Sequence, residues 1–517
     1  MRLIEVLAVI FCLMTMVTSS DINFSPNIDP LSTPFFMTNL EEMDDVPLVF
    51  DNSLPPWLKG TLIKNGLGRF EFGQRKFRNA LDANAKLSSW KFTGNGNAVF
   101  STRFIRSKSY NESLARNDIA PYLMLDGTTP PFSIPEKMES LINGMDNMNV
   151  NVYRYPEGSY VAVSDYWNCY ELDPKSLLTI EDIKPKVPNA TIMDKMIMLS
   201  TAHPLPEYGK NYFITFVTLA SPLPEMKSKI KLIRVKSVLE REEIASIDVD
   251  KVPYMHSFGL TENYAVIIGI PFFVDPIKMF KTFTALDVFE WDPSAGTTLY
   301  VINIKTGKIQ ILKTDAIFFL HTVNAYEYED NIIFLDIATY NDFRPLHMFD
   351  MDVLSVPSAR NKYVPADLRR YKLDLSKNTV QVCLFRSPSR IDLADHPEFP
   401  VINEKVRSHK YCYLYGITYN MDGEDFLHMA LVKKDVCTGA GDAFWNQPFA
   451  YLNEPWFIST PEASREDDGV LLLPMLDIQT GKTTFTIFNA TDLTIITKSI
   501  LPTSNPFATH GRFFNEL

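Results

Sequence analysis

The sequence predicts an all-β fold, and within that class a β-propeller. Three observations lead there. Short runs rich in β-branched and aromatic residues, bounded by turn chemistry, recur along the chain, whereas helical periodicity is sparse. A weak repeat of strand, short polar turn and strand occurs four times, at YELDPKSLLTI, YVINIKTGKIQIL, YKLDLSKNTVQV and MLDIQTGKTTFTI. No Pro/Gly/Ser-rich linker divides the 517 residues, which favours one large domain over two β-sandwiches, the alternative that the repeats also allow.

The elements follow in chain order. The opening MRLIEVLAVIFCLMTMVTSSD places an Arg before an apolar run from Val6 to Val17, then small residues Thr18 and Ser20 at −3 and −1 of a cut before Asp21. Residues 1–20 are therefore expected to be a cleaved secretory signal peptide, with an uncleaved anchor as the alternative. Residues 21–517 are the single domain, and the expected location is secreted or lumenal. Strands are expected at YVAVS, YFITFVTLA, YAVIIGIPFFV, NIIFLDIATY, FLHMALVKK and GVLLLPML, and helices at MESLINGMDNM and IKMFKTFTALDVF. Each repeat reads as the outer hairpin of a sheet. Long insertions are expected around Ser257–Asp292 and Tyr340–Arg369. In a propeller the end of the chain commonly supplies a strand to the first blade, which would give the stretch around His510 a fixed place.

A formal charge of −12 without Lys/Arg clusters argues against a nucleic-acid partner. With Cys12 lost in the signal peptide, Cys169, Cys383, Cys412 and Cys437 remain, and four cysteines allow three full pairings. The sequons at Asn111, Asn189 and Asn489 suit an exported chain.

Four of the eight histidines, His203, His256, His321 and His510, stand apart. Each has apolar or small neighbours and lies at the edge of a predicted strand. One such residue is ordinarily a hydrogen-bonded core histidine. Four from different blades could converge on an axis as a nitrogen-rich metal site. Their wide separation rules out a local zinc motif such as HExxH.

Several stretches then occur in the order of a known family: LKGTLIKNGLGRFEFG, LDANAKLSSWKF, YMHSFGLTEN, HTVNAYE, HPEFPVIN, SREDDGVLLL and the terminal HGRF. From about Pro30 onward the chain resembles the carotenoid cleavage oxygenases, particularly the animal branch with the β-carotene oxygenases and the retinoid isomerase. The resemblance implies a seven-bladed propeller with a helical cap. It implies one Fe2+ on His203, His256, His321 and His510, whose other ring nitrogens are held by Glu398, Glu466 and, where the family has a third Glu, Asp165. Ala83 stands where the family usually has Gly, a change that an inner turn with positive φ would resist. The vertebrate Cys-containing motif before the cap is absent.

The reaction implied is O2-dependent cleavage of one C=C bond of a carotenoid or apocarotenoid to aldehydes or ketones, with selectivity from an apolar tunnel. No catalytic side chain is implied beyond the iron ligands. The alternatives are a retinoid or carotenoid isomerase on the same iron, or a non-catalytic carotenoid-binding propeller. Such substrates imply peripheral membrane contact, for which IPFFVDPIKMFKTFTALDVF, with aromatics and lysines, is the candidate segment.

Overall fold

The first strand of the main body, Lys59–Arg69, shows why this chain builds sheets. It is buried along nearly its whole length and pairs on both sides, with Asn84–Thr93 and with Ala508–Phe514. Met43–Pro47 and Ala98–Phe104 complete this five-stranded antiparallel sheet, so the first and last long strands of the chain share it. The expected place for the His510 stretch is thus borne out. The structure, a computed structural model, describes residues 36–189, 198–221, 226–275, 278, 282, 284–360, 362–386, 392–421, 425, 427–505 and 507–517. The expected signal peptide lies outside these residues.

Among the described residues the strands form seven sheets of four or five strands and two of three strands. The larger sheets follow one another along the chain, mostly as antiparallel meanders, and their apolar faces form the main hydrophobic clusters. The all-β expectation holds. Three of the four repeats are outer hairpins: Cys169–Leu172 with Thr179–Ile183, Thr297–Asn303 with Ile309–Thr314, and Asp367–Asp374 with Thr379–Leu384. The fourth is not. Gly469–Asp477 and Lys482–Asn489 are the middle pair of their sheet, because Ile495–Ile500 adds a further strand outside them.

The expected long strand YAVIIGIPFFV is broken into Tyr264–Gly269 and Phe272–Val274, which belong to different sheets. Pro271 stands at the break, where a residue without an N–H cannot continue the ladder. The segment Phe272–Val274 joins Val252–Pro253 and Phe289–Trp291 in one of the small sheets, so the insertion is shorter than Ser257–Asp292. Part of the expected helix IKMFKTFTALDVF lies outside the described residues, and its end is instead a 3-10 turn, Leu286–Val288, that leads into the strand Phe289–Trp291.

The helix Ile134–Asn143 contains the start of MESLINGMDNM. Ser133 and Glu136 form a capping box at its start, and Gly144 at φ 70° ends it. A second helix, Lys108–Arg116, went unread in the sequence because its nine residues carry a weak apolar stripe. Short helical turns at Arg344–Phe349, Met351–Leu354 and Pro357–Arg360 fill the Tyr340–Arg369 insertion. Ala83 is fully buried at φ −58°, ψ 144°, a conformation open to any L-residue, so the missing glycine costs nothing there. Among the described residues no helix is long and apolar enough to cross a membrane.

Candidate metal centre

Four inner strand ends deliver the four histidines. His203 follows Met198–Leu199, His256 precedes Gly259–Leu260, His321 lies within Phe318–Glu329 and His510 within Ala508–Phe514. Two of these positions are irregular in register. The pairing of Phe318–Glu329 with its neighbour shifts between Phe319 and Thr322, and that of Ala508–Phe514 with Lys59–Arg69 shifts between Ala508 and Gly511. Such bulges turn a side chain out of the regular alternation and aim it elsewhere. Gly511 lets His510 sit this close to its neighbour strand, because a Cβ there would lie 2.4 Å from the Ile63 carbonyl oxygen.

The result is one cluster. A ring nitrogen from each histidine lies within 4.8 Å of the others. The Nε2 atoms of His203 and His256 are 3.0 Å apart, and those of His321 and His510 are 3.1 Å apart. The Nδ1 atoms of three of the rings point outward to carboxylates. His256 Nδ1 is 2.6 Å from Asp165, His321 Nδ1 is 2.5 Å from Glu398, and His510 Nδ1 is 2.7 Å from Glu454. Each carboxylate accepts a hydrogen bond from the Nδ1–H and so fixes the tautomer whose Nε2 lone pair faces the centre. Burial and the facing imidazoles push His203 and His510 well below the ordinary histidine value, which keeps them neutral.

The carboxylates are themselves fixed. Asp165, one methylene shorter than Glu, reaches His256 directly because its backbone is drawn to the His203 segment. Its carbonyl accepts the Ser200 N–H at 2.8 Å and its Oδ1 the Ala202 N–H at 3.1 Å. Tyr254 donates to its other oxygen at 3.1 Å. Glu398 accepts from Tyr340 at 2.8 Å. Its neighbour Phe399 sits at φ 49°, a strained conformation for an aromatic residue, in a third register shift, between Glu398 and Val401. That twist lays the Phe399 ring against both His321 and His510, at 5.0 Å from each centroid. Gly416 makes room, since a Cβ there would meet the Glu398 carbonyl oxygen at 2.6 Å.

One sequence assignment is corrected. Glu466 does not reach a histidine: its carboxylate accepts the backbone N–H groups of Cys412 and Tyr413 at 2.7–3.0 Å. Its acidic turn is half-exposed and is held by its own backbone. Glu454 takes the place beside His510. It also accepts from Lys64 Nζ at 2.8 Å and from the Gly511 N–H at 3.1 Å. Lys64 is fully buried, and that burial pushes its ammonium down, offset by Glu454. The signal for Glu454 was present in YLNEPWFIS: a lone carboxylate inside an apolar strand region must have a buried partner.

On one side the cluster opens into a cavity. His256, His321 and His510 line it with Phe77, Leu123, Met124, Leu320, Phe349, Phe399 and Phe507. Part of its wall comes from the segments around both helices and from the Arg344–Phe349 turn. The donor set suits a divalent transition metal. Four imidazoles, three of them with tautomers oriented by carboxylates, would provide the nitrogen ligands.

Comparison with known proteins gives the class. The sequence profile of the retinal pigment epithelial membrane protein family matches residues 36–515. The chain belongs to that family, the carotenoid oxygenases, and is an oxygenase enzyme. Among its relatives, the carotenoid isomerooxygenase of Galleria mellonella is 25% identical over 468 residues, covering 86% of this chain and 88% of that one. The beta,beta-carotene 15,15'-dioxygenase of Mus musculus is 24% identical, with coverages of 93% and 91%. Among solved structures, a glutamate-to-glutamine variant of the Synechocystis apocarotenoid oxygenase has a TM-score of 0.80 at 21% identity, covering 95% of this chain and 100% of that one. The cobalt-substituted Synechocystis enzyme has a TM-score of 0.79 at 21% identity, with the same coverages.

Proposed function

We propose that the protein is a non-haem Fe(II) dioxygenase that cleaves one C=C bond of a carotenoid or apocarotenoid, giving aldehyde or ketone products. The observation that carries this reading is the four-imidazole cluster, with Nε2 atoms turned inward, at the wall of an apolar cavity. His203, His256, His321 and His510 would hold the iron. When bound, ferrous iron supplies the binding and activation of O2. The protein's own part is positional. Asp165, Glu398 and Glu454 fix three ring tautomers and hold the imidazoles in place. Phe399, wedged against two of them, keeps the cluster packed. The apolar walls accept a polyene, exclude water and set which double bond lies beside the histidines. The seven larger sheets are read as the blades of a propeller whose axis the histidines share.

Secretion through the signal peptide is part of the same reading. The disulfide Cys412–Cys437 supports it, since disulfides persist in oxidising compartments. Peripheral contact with a membrane follows from the insolubility of the substrate. The name of the Galleria relative couples isomerisation to oxygenation, so a change of double-bond geometry in one product is a compatible outcome.

The test is metal analysis of the purified protein followed by incubation with β-carotene or an apocarotenal under 18O2. Stoichiometric iron and 18O-labelled carbonyl products are expected. Iron-loaded protein that changes only the cis/trans ratio, with no new carbonyl, would favour the isomerase. Protein that holds no iron would end both enzyme readings.

A further inference from the structure

The three carboxylates behind the imidazoles differ in what faces them. Asp165 and Glu398 are met by neutral donors besides their histidines: the backbone N–H groups of Ala202 and Phe399, and the hydroxyls of Tyr254 and Tyr340. Among the described residues no lysine or arginine pairs with either. Glu454 divides its two oxygens. Oε1 faces His510 Nδ1 at 2.7 Å, while Oε2 accepts from Lys64 Nζ at 2.8 Å and from the Gly511 N–H at 3.1 Å. A single carboxyl group thus stands between a cation and a histidine of the cluster.

Lys64 is an unusual strand residue. It lies in the middle of Lys59–Arg69, paired with Ser88 on one side and Gly511 on the other. Its side chain is 0% exposed, and Glu454 is its one hydrogen-bond partner among the described residues. Gly511 makes room for its stem, since a Cβ there would lie 2.5 Å from Lys64 Cγ. A buried ammonium is costly to desolvate and is kept only against a paired charge. No water screens it, so its field is felt at the rings more strongly than that of a surface lysine. Arg512 is the second cation whose charge reaches His510, but it is partly exposed and bonds the Tyr153 hydroxyl at 2.9 Å.

The groups bonded to the rings and to their carboxylates therefore carry three negative charges and one positive charge. With neutral imidazoles, a dipositive ion balances that excess and a tripositive ion exceeds it. Loss of the ammonium leaves all three negative charges uncompensated, which favours the tripositive ion.

We propose that Lys64 sets the redox poise of the iron site: by offsetting the Glu454 carboxylate it favours Fe(II) over Fe(III) among the four histidines. The proposal rests on the iron-enzyme reading and adds to it the means by which the metal stays ferrous in air. The loss it opposes is of one electron, from Fe(II) to O2, leaving Fe(III) and superoxide. Burial and charges near a metal are the levers a protein has on such a potential. Lys64 acts through Glu454, so it is a positioning residue.

The experiment is an anaerobic, mediated redox titration of the full chain at saturating ferrous iron, followed by the electron paramagnetic resonance signal of Fe(III). Lys64→Met, which keeps bulk and removes charge, should raise the Fe(III)/Fe(II) ratio at a given applied potential about tenfold, a fall in midpoint of about 59 mV. Lys64→Gln, which keeps a donor, should shift it the same way, and Lys64→Arg should stay within about twofold of wild type. Glu454→Gln should move the midpoint in the opposite direction, and the double variant Lys64→Met, Glu454→Gln should return it toward wild type. The iron of Lys64→Met should also oxidise faster in air. An unchanged or raised midpoint in Lys64→Met and Lys64→Gln overturns the inference, even if iron affinity or melting temperature falls, because a lysine that only holds the fold would give that result. Wild-type protein that binds no iron overturns the enzyme reading instead.

Discussion

At the scale of single residues, the metal centre depends on which carboxylate stands behind each imidazole. Glu454 bridges Lys64 and His510, so it sets a negative charge behind that ring and orients it. Glu454→Gln keeps the shape but removes the charge. It is expected to lower iron affinity roughly 10- to 100-fold, measured by competition with a chelator of known affinity. Glu466→Gln, which touches only the backbone of Cys412 and Tyr413, should leave iron affinity within about threefold of wild type and serves as the contrast. The histidines were legible because apolar neighbours around an ionisable group are conspicuous. Asp165 was legible as a departure whose reach the sequence could not settle, since the answer lay in where Ser200 and Ala202 pull its backbone. Glu454, an isolated Glu flanked by Asn and Pro in an apolar strand region, carries a stronger physical argument for burial than the acidic run around Glu466.

At the scale of elements, the strand Ala508–Phe514 has two separable roles. It pairs with Lys59–Arg69 from Thr61 to Gly66, and it carries His510. His510→Ala removes one role only: Glu454 keeps Lys64, and the pairing survives. That variant should lose iron by metal analysis while its far-ultraviolet circular dichroism stays at the wild-type level. Deleting residues 510–517 removes both roles and should also cost cooperative unfolding; a truncated chain that kept its iron would contradict the assignment. The repeated hairpins were legible through their turn chemistry, but their position within a sheet was not, because a strand such as Ile495–Ile500 adds outside a hairpin without altering its local sequence. The cysteine pairing was equally closed to inspection. Cys412 and Cys437 flank two neighbouring strands, Tyr413–Thr418 and Ala430–Asp435, and only that pairing brings their Cα atoms to 5.1 Å. Cys169 is buried and Cys383 exposed, both as free thiols.

At the scale of the whole molecule, the ligands arrive from well-separated parts of the chain, so a bound metal ties those parts together. Removing iron with a chelator should therefore lower the apparent melting temperature, and adding ferrous iron back should restore it. The stabilisation is about 2.7 kcal/mol when free metal stands a hundredfold above its dissociation constant, and differential scanning calorimetry would show it; an unchanged transition would mean that the histidines hold no metal in the folded protein. The all-β class rested on strand chemistry, a whole-chain signal that survives local errors such as the broken YAVIIGIPFFV. The pairing of Lys59–Arg69 with Ala508–Phe514 also sets a timetable. Two segments more than four hundred residues apart must meet before the fourth imidazole is in place, and contacts of such separation form late in folding. If the site takes iron as proposed, its capture would be a checkpoint on the finished fold, because a partly folded chain lacks the fourth imidazole.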